Sequence, residues 1–306
     1  MKNIYSRKYV FLAVSCVLLW CGGTAFARPK ETQDQCPPPA MDRHHMDVRF
    51  FSRTPLYPYY LADLRRPQAG IALLDTTHSQ LPHGGGRRYY LFMGAKQPLL
   101  SFAGTPDGLP AVEIELMGGL YAQFNRMEQE DNIGWNGSYD AAVVFQPVTG
   151  LVMRVGYQHD SSHIGDEYLL KYGNRRINYM RDEIAAAACL RLSSSIMLYS
   201  EVGYMPVVNG YYRQRPFRLQ GGGELSIPVW RTGGALQWII AADLKFWEEN
   251  RWGASWCVLP GIKIHIDRQR SRALMISGLF YSGRALLTEY YMYREIYSGL
   301  RLSVEL

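Results

Sequence analysis

Beyond residue 27 the chain has no uninterrupted apolar run of about 18 residues, which leaves it without a transmembrane helix. Cysteine is scarce as well. Only Cys36, Cys189 and Cys257 follow the leader described below, an odd number spaced too widely for a disulfide framework or a CxxC metal site, so they read as isolated small hydrophobes. An excess of one charge is also missing: the formal balance of +6 falls to +3 once Lys2, Arg7 and Lys8 leave with the leader, and no basic stripe for nucleic acid remains. Neither an internal repeat nor a low-complexity tract stands out.

The leader itself is legible. Lys2, Arg7 and Lys8 precede the apolar stretch from Tyr9 to Trp20, and Ala25-Phe26-Ala27 is a small-x-small cleavage site, so residues 1–27 form a signal peptide and the mature chain starts at Arg28. Lipidation at Cys21 is the weaker alternative, because Trp20 is too bulky for the residue before a lipidated cysteine.

What fills the rest is alternation with a period of two, in segments of roughly ten residues, the signature of an outer-membrane barrel. From Val112 to Phe124 the even positions include Val112, Ile114, Leu116, Leu120 and Phe124, while Glu113, Glu115, Tyr121 and Gln123 occupy the odd ones. The same division recurs over Phe217 to Ile227, Trp256 to Ile266 and Ile296 to Leu306. Twelve strands are expected, near 69–78, 88–94, 111–124, 137–146, 150–161, 176–192, 195–205, 216–228, 235–246, 254–266, 272–283 and 293–306. Short connections alternate with long ones, as periplasmic turns and extracellular loops do, the exception being a long 95–110 segment where a short turn belongs. The 22 tyrosines and 7 tryptophans supply belts for two membrane interfaces. The predicted fold is therefore all-β, a transmembrane antiparallel up-and-down β-barrel of about 12 strands over residues 69–306, with a secreted β-sandwich as the alternative. The chain stops inside its last strand with Leu302-x-Val304-x-Leu306 behind Tyr297 and Gly299, similar to the terminal signal read by barrel-insertion machinery.

Residues 28–68 differ in kind, with Cys36-Pro37-Pro38-Pro39 and Pro55-Leu56-Tyr57-Pro58, and read as a periplasmic lead-in or a plug. His44-His45 lacks a third ligand in view and reads as a solvated pair.

The run from His159 to Tyr168 carries the functional argument. On the fifth strand Leu151, Met153, Val155 and Tyr157 form the apolar set, and continuing the count puts His159 and Ser161 on the lipid side near the outer leaflet, where a polar pair needs a reason. Acyl transfer supplies one. A serine hydroxyl is a weak nucleophile until an imidazole takes its proton, and residues i and i+2 on a strand share a face about 6.5–7 Å apart. A third group must hold the other imidazole nitrogen. On the sixth strand Ile184, Ala186, Ala188, Leu190 and Leu192 define the outward face, and counting back reaches Asn178, with Asn174 in the loop as a second candidate.

Gly156-Tyr157-Gln158-His159-Asp160-Ser161-Ser162 resembles the HxS active-site strand of the outer membrane phospholipase A family, and the HxS of lipid A deacylases is similar. The resemblance implies a twelve-stranded barrel with Ser161 as nucleophile, His159 as base, Asn178 or Asn174 as orienting group, and calcium assisting the oxyanion. It departs from that pattern at Ser162, where those enzymes carry asparagine. A second resemblance covers more of the chain. Pro55 to Gln68, the SSHxGDEY stretch from Ser161 to Tyr168, and Arg176-Ile177-Asn178-Tyr179 resemble the bacterial family called domain of unknown function 1207. This implies a barrel and makes the His/Ser run a family feature without giving it a reaction.

The leading functional expectation is an integral outer-membrane barrel that hydrolyses acyl esters of outer-leaflet phospholipid or lipid A. The alternatives are a non-enzymatic structural or envelope-maintenance barrel and a narrow pore. His163, Asp166 and Glu167 are weak metal candidates, and the same residues can instead tie a loop to the rim, with Asp166 or Glu167 pairing Arg175 or Arg176. Arg87-Arg88, Arg175-Arg176, Arg213, Arg215 and Arg218 are candidates for holding lipopolysaccharide phosphates. Glu113, Glu115, Arg154, Arg181, Glu183 and Lys263 face the lumen, where they would line a channel or fill it with ion pairs.

Overall fold

Alternating residues become strands where the pattern places them. The computed structural model describes residues 48–52, 54–81, 84–103, 111–127, 131–173, 176–207, 214–230, 232–266 and 272–305. The signal peptide, Cys36, the His44-His45 pair, Asn174, Arg175 and Arg213 lie outside the described residues. After a three-residue strand β1 (Val48–Phe50) come β2 (Ala69–Ser79), β3 (Gly86–Phe102), β4 (Ala111–Asn125), β5 (Asp131–Val148), β6 (Leu151–Ile164) and β7 (Met180–Arg191). They are followed by β8 (Ile196–Tyr204), β9 (Phe217–Pro228), β10 (Leu236–Trp247), β11 (Ala254–His265), β12 (Ala273–Arg284) and β13 (Arg294–Glu305). Each strand from β2 onward pairs antiparallel with the next, and β13 returns to β2, closing a ring of twelve that has no free edge. β1 lies against the overhanging end of β3, at Leu100 to Phe102.

The two faces divide as the alternation requires. On β4 Glu113, Glu115 and Gln123 are buried, whereas Ile114, Leu116 and Leu120 are exposed. Exposed Trp238, Ile240 and Leu244 on β10, with Ile276 and Phe280 on β12, continue the apolar outer wall that a bilayer would cover. Cys189 and Cys257 are both free and buried.

Three boundaries differ from the sequence expectation. β3 continues through Lys96 and Pro98 to Phe102, so half of the anomalous 95–110 connection is strand. Pro98 is accommodated at a register shift between Pro98 and Leu100, where the ladder does not need its missing N–H. β5 starts at Asp131, which extends the wall on the loop side. β7 starts only at Met180; the N–H groups of residues 177–179 are taken by Glu289.

The lumen is filled from within. Residues 54–68 form a strap that touches strands all around the ring. The Tyr60 ring stacks on Tyr199 of β8 at 3.7 Å and 5°. Gly222 on β9 permits this contact, since a Cβ there would stand 2.3 Å from the Tyr199 ring. Leu56 N–H donates to Glu113, Leu61 N–H donates to Glu224 at 2.8 Å, and Tyr90 donates to the Leu64 carbonyl at 2.5 Å. Lys96 Nζ donates to the Tyr57 carbonyl at 2.6 Å, and Arg301 to the Leu61 carbonyl at 3.1 Å.

The charges of the strap are paired with charges of the wall. Asp63 meets Lys245, Gln220 and the Arg65 amide; Arg66 bridges Glu201 and Asp140. The network continues through Arg218 to Glu183 and Glu201, Arg181 to Glu183, and Arg154 to Glu115 at 2.6 Å. Of the arginines considered for external phosphates, Arg88 and Arg218 therefore belong to the interior: Arg88 pairs with Glu295 at 2.9 Å, and Arg218 with two glutamates. Their parity along β3 and β9 turns them inward, away from any lipid.

The remaining lumenal spaces around Asp63, Arg66 and Lys245 are about 10–30 Å³, no more than the share of a single liquid water. A larger cavity of about 340 Å³, lined in part by Tyr59, Glu224, Lys263 and Glu305, opens beneath the strap at the end carrying the short turns.

Candidate functional site

Antiparallel register assembles the site on the outside of the wall. Tyr139 of β5, His159 of β6 and Asp182 of β7 form one rung, and the next rung towards the loop end holds Gly137, Ser161 and Met180. Parity explains their common face: Val155 and Tyr157 of β6, Tyr139 and Val143 of β5, and Ile184 of β7 are all exposed.

His159 is tightly held. Its Nδ1 lies 2.7 Å from Asp182 Oδ1, and its ring stacks on Tyr139 with centroids 4.5 Å apart and planes 19° from parallel. The Tyr157 hydroxyl donates to the same Asp182 oxygen, so the carboxylate is fixed from two sides. A carboxylate at Nδ1 keeps the proton there and leaves Nε2 as the accepting nitrogen. Ser161 donates weakly to the Gly137 carbonyl at 3.5 Å. Gly137 places no side chain over that hydroxyl; a Cβ there would stand 3.5 Å from it.

Asn178 does not stand beside His159. It precedes β7 with a φ of 56°, its side-chain oxygen accepts from Arg176 at 2.9 Å, and its amide N–H donates to Glu289 at 2.9 Å. The register instead brings Asp182, four residues later, to the histidine. An acidic residue on the otherwise apolar face of Ile184 and Ala186 was the available signal. Tyr157 and Tyr139 gave none, since aromatic residues on a lipid-facing strand are ordinary belt residues.

The metal candidates do not converge. Among the described residues no three His, Cys, Asp or Glu side chains gather as a metal set. The His163 ring stacks on Trp135 at 4.2 Å and its Nδ1 accepts from Arg176. Asp166 and Glu167 sit exposed in the first turn of α1 (Asp166–Tyr172). Calcium takes six to eight oxygen ligands. Beside Ser161 the described residues offer the Gly137 carbonyl, while Asp182 is already engaged, so this face of one chain does not match a calcium cage.

The end of the run builds the rim instead. Tyr168 packs into a cluster with Leu81, Ile133, Ile164, Leu287 and Tyr290, which ties α1 to the β12–β13 connection. Glu289 from that connection accepts the backbone N–H groups of Ile177, Asn178 and Tyr179. The partner of the rim is thus a buried glutamate reaching across from the far end of the chain, and Arg176 pairs with His163 and Asn178.

A family model described as protein of unknown function, DUF1207, matches residues 106–306. The chain belongs to this family. The DUF1207 match includes all of β4 to β13 and so contains the Tyr139–His159–Asp182 rung and Ser161. No curated protein matches the sequence. Among solved structures, the fold of this DUF1207 chain is similar to the calcium-bound outer membrane phospholipase dimer of Salmonella typhi, with a TM-score of 0.51, 12% identity, and coverage of 81% of this chain and 94% of that one. The outer membrane phospholipase A of Escherichia coli gives a TM-score of 0.51 at 12% identity, covering 80% and 94% respectively. At that identity the likeness establishes the outer-membrane barrel fold.

Proposed function

We propose that this DUF1207 protein resides in the bacterial outer membrane and hydrolyses acyl esters of outer-leaflet lipids, with Ser161 as nucleophile, His159 as general base and Asp182 as orienting carboxylate. The observation that carries this reading is the 2.7 Å contact of Asp182 with His159 Nδ1 on the outward face, one rung from Ser161. A histidine–carboxylate pair placed against hydrocarbon has no role in holding the ladder together and is costly to keep there. It also lies on the face of the barrel that a lipid ester can reach.

The chemistry follows from the positions. The 3.5 Å bond from Ser161 to Gly137 is weak, and the reading requires the hydroxyl to leave it for His159 Nε2, two residues along the same face. As Oγ attacks the ester carbonyl its proton passes to Nε2, and Asp182 stabilises the imidazolium. The same proton then goes to the departing lipid alkoxide; water, deprotonated by His159, attacks the acyl–Ser161 ester, and that second proton passes to Ser161 Oγ as the acyl–oxygen bond breaks and the fatty acid leaves. Calcium, which the Salmonella neighbour binds, enters none of these steps. The pore reading is disfavoured by a lumen filled with the strap and its ion pairs.

The test is ester release by the refolded mature chain in detergent, with and without calcium, for the native protein and for Ser161→Ala, His159→Ala and Asp182→Asn. Loss of release in the serine and histidine variants supports the reading; equal rates in all four proteins overturn it and leave the structural barrel as the better account.

A further inference from the structure

The outward column of β6 continues past Ser161 to His163, which pairs across the ladder with Trp135 of β5. The two rings stack at 4.2 Å and 29°. Arg176 closes this rung: its Nη2 donates to His163 Nδ1 and, at 2.9 Å, to Asn178 Oδ1.

Arg176 contrasts with six of the arginines of the lumen. Arg66, Arg88, Arg154, Arg181, Arg218 and Arg284 each pair with at least one carboxylate. Arg176 is exposed, both of its recorded partners are neutral acceptors, and among the described residues no carboxylate pairs with it. A guanidinium carries five N–H donors in a planar fork, and two neutral acceptors on one nitrogen leave both charge and donors for an outside oxyanion. Glu289 does not take that place: its oxygens accept from the backbone of residues 177–179.

Position selects the oxyanion. The rung stands at the loop end of the outer wall, where tryptophan marks the boundary between hydrocarbon and headgroups. Two residues of strand, about 6.5–7 Å, separate His163 from Ser161. A lipid whose acyl ester lies at Ser161 therefore places its headgroup at Trp135, His163 and Arg176, only a few bonds from the ester.

We propose that Arg176, with Asn178 and the Trp135–His163 shelf, seats the phosphate of a lipid headgroup, which makes phosphate-bearing lipids the substrate class of the Ser161 site. The inference rests on the hydrolase reading for the word substrate, while the seat itself is a binding property and is tested without turnover. His163 serves as shelf and acceptor: its Nδ1 takes the Arg176 proton, which holds the guanidinium plane against the wall. Two lipid sources share the chemistry, a glycerophospholipid and the phosphorylated lipid A of lipopolysaccharide.

The experiment uses the refolded full mature chain carrying Ser161→Ala, so that nothing is consumed. Four probes are compared by competition against a fluorescent short-chain lipid: dihexanoyl phosphatidic acid, dihexanoyl glycerol, a bisphosphorylated lipid A analogue and inorganic phosphate. Phosphatidic acid, lipid A analogue or both should bind more tightly than dihexanoyl glycerol, and adding Arg176→Gln should weaken the phosphate-bearing lipids by roughly ten- to a hundredfold, with dihexanoyl glycerol unchanged. Which of the two binds more tightly names the source. Arg176→Lys, which keeps the charge and loses the fork, should fall between. Phosphatidic acid and lipid A analogue both binding no more tightly than dihexanoyl glycerol overturns the seat, as does an Arg176→Gln variant that binds as the parent does. Inorganic phosphate competing as well as the lipids overturns the lipid assignment. Selective binding in a protein that releases no fatty acid from any ester keeps the seat and rejects the hydrolase; equal release from esters with and without phosphate does the reverse.

Discussion

Removing one charge from the strap should undock it, and the cost can be worked from the contacts. Asp63 accepts from Lys245, from Gln220 at 2.9 Å and from the Arg65 amide at 3.0 Å, all in a buried setting. Asp63→Ala leaves the Lys245 ammonium without its carboxylate inside the ring, and breaking a buried pair from one side costs about 3–5 kcal/mol. Arg66 keeps Asp140 and Glu201, so the strap loses one of its two ionic anchors. At about 1.4 kcal/mol per tenfold, the undocked population rises by roughly a hundred- to several-thousandfold. An aromatic-specific protease reads this directly, since Tyr57 and Tyr60 are buried when the strap is docked. Cleavage follows the open population when reclosure is faster than cutting. The partner variant decides the cause: Asp63→Ala with Lys245→Met removes both charges and should recover most of the protection, while heat-resistant gel migration confirms an intact ring. A strap cut no faster in Asp63→Ala than in the native protein refutes the ionic anchoring, and a double variant cut as fast as the single one refutes its assignment to the stranded lysine.

Three other outcomes are expected. In the ester-release assay Asp182→Asn should lower kcat by roughly 10²–10⁴-fold with the fold intact, the loss seen when a histidine base loses its orienting carboxylate; an unchanged kcat removes Asp182 from the site. Ile240→Arg, on the exposed apolar wall of β10, should destabilise the barrel in lipid by about 2–4 kcal/mol in a urea titration, and a neutral result would mean that this wall does not face hydrocarbon. Glu289→Ala should expose the amides of Ile177, Asn178 and Tyr179 to hydrogen exchange while the β6–β7 ladder stays protected, since the three lose one shared acceptor; unchanged exchange would contradict the clamp.

The ring was legible because a period of two over ten residues fixes both the strand and its faces. Glu113 and Glu115 fell inward and Ile114 outward as the alternation requires. The face of His159 and Ser161 was legible for the same reason. Register was not. Which residue of β7 meets His159 depends on where β7 joins the ladder, and the segment just before it is clamped by Glu289, more than a hundred residues downstream. Parity reduced the choice to alternate residues, and Asp182 was among them. Pro98 hid the far half of β3, because a proline inside a strand reads as a break unless a register shift absorbs it. The strap was invisible for another reason: its charges look solvated in sequence, and only the closed ring brings Lys245, Glu201 and Asp140 to them.

The strap also constrains the order in which the molecule is put together. It precedes every strand of the ring, yet its charges are answered by residues from β5, β8 and β10, and its carbonyls by Lys96 of β3 and Arg301 of β13. The seam of the cylinder lies between β2 and β13, the first and last strands of the ring. A ring sealed with the strap outside would enclose Lys245 and Glu201 without these partners. A strap that docks before the seam closes acts as a mandrel, letting the sheet curl around an interior already neutralised.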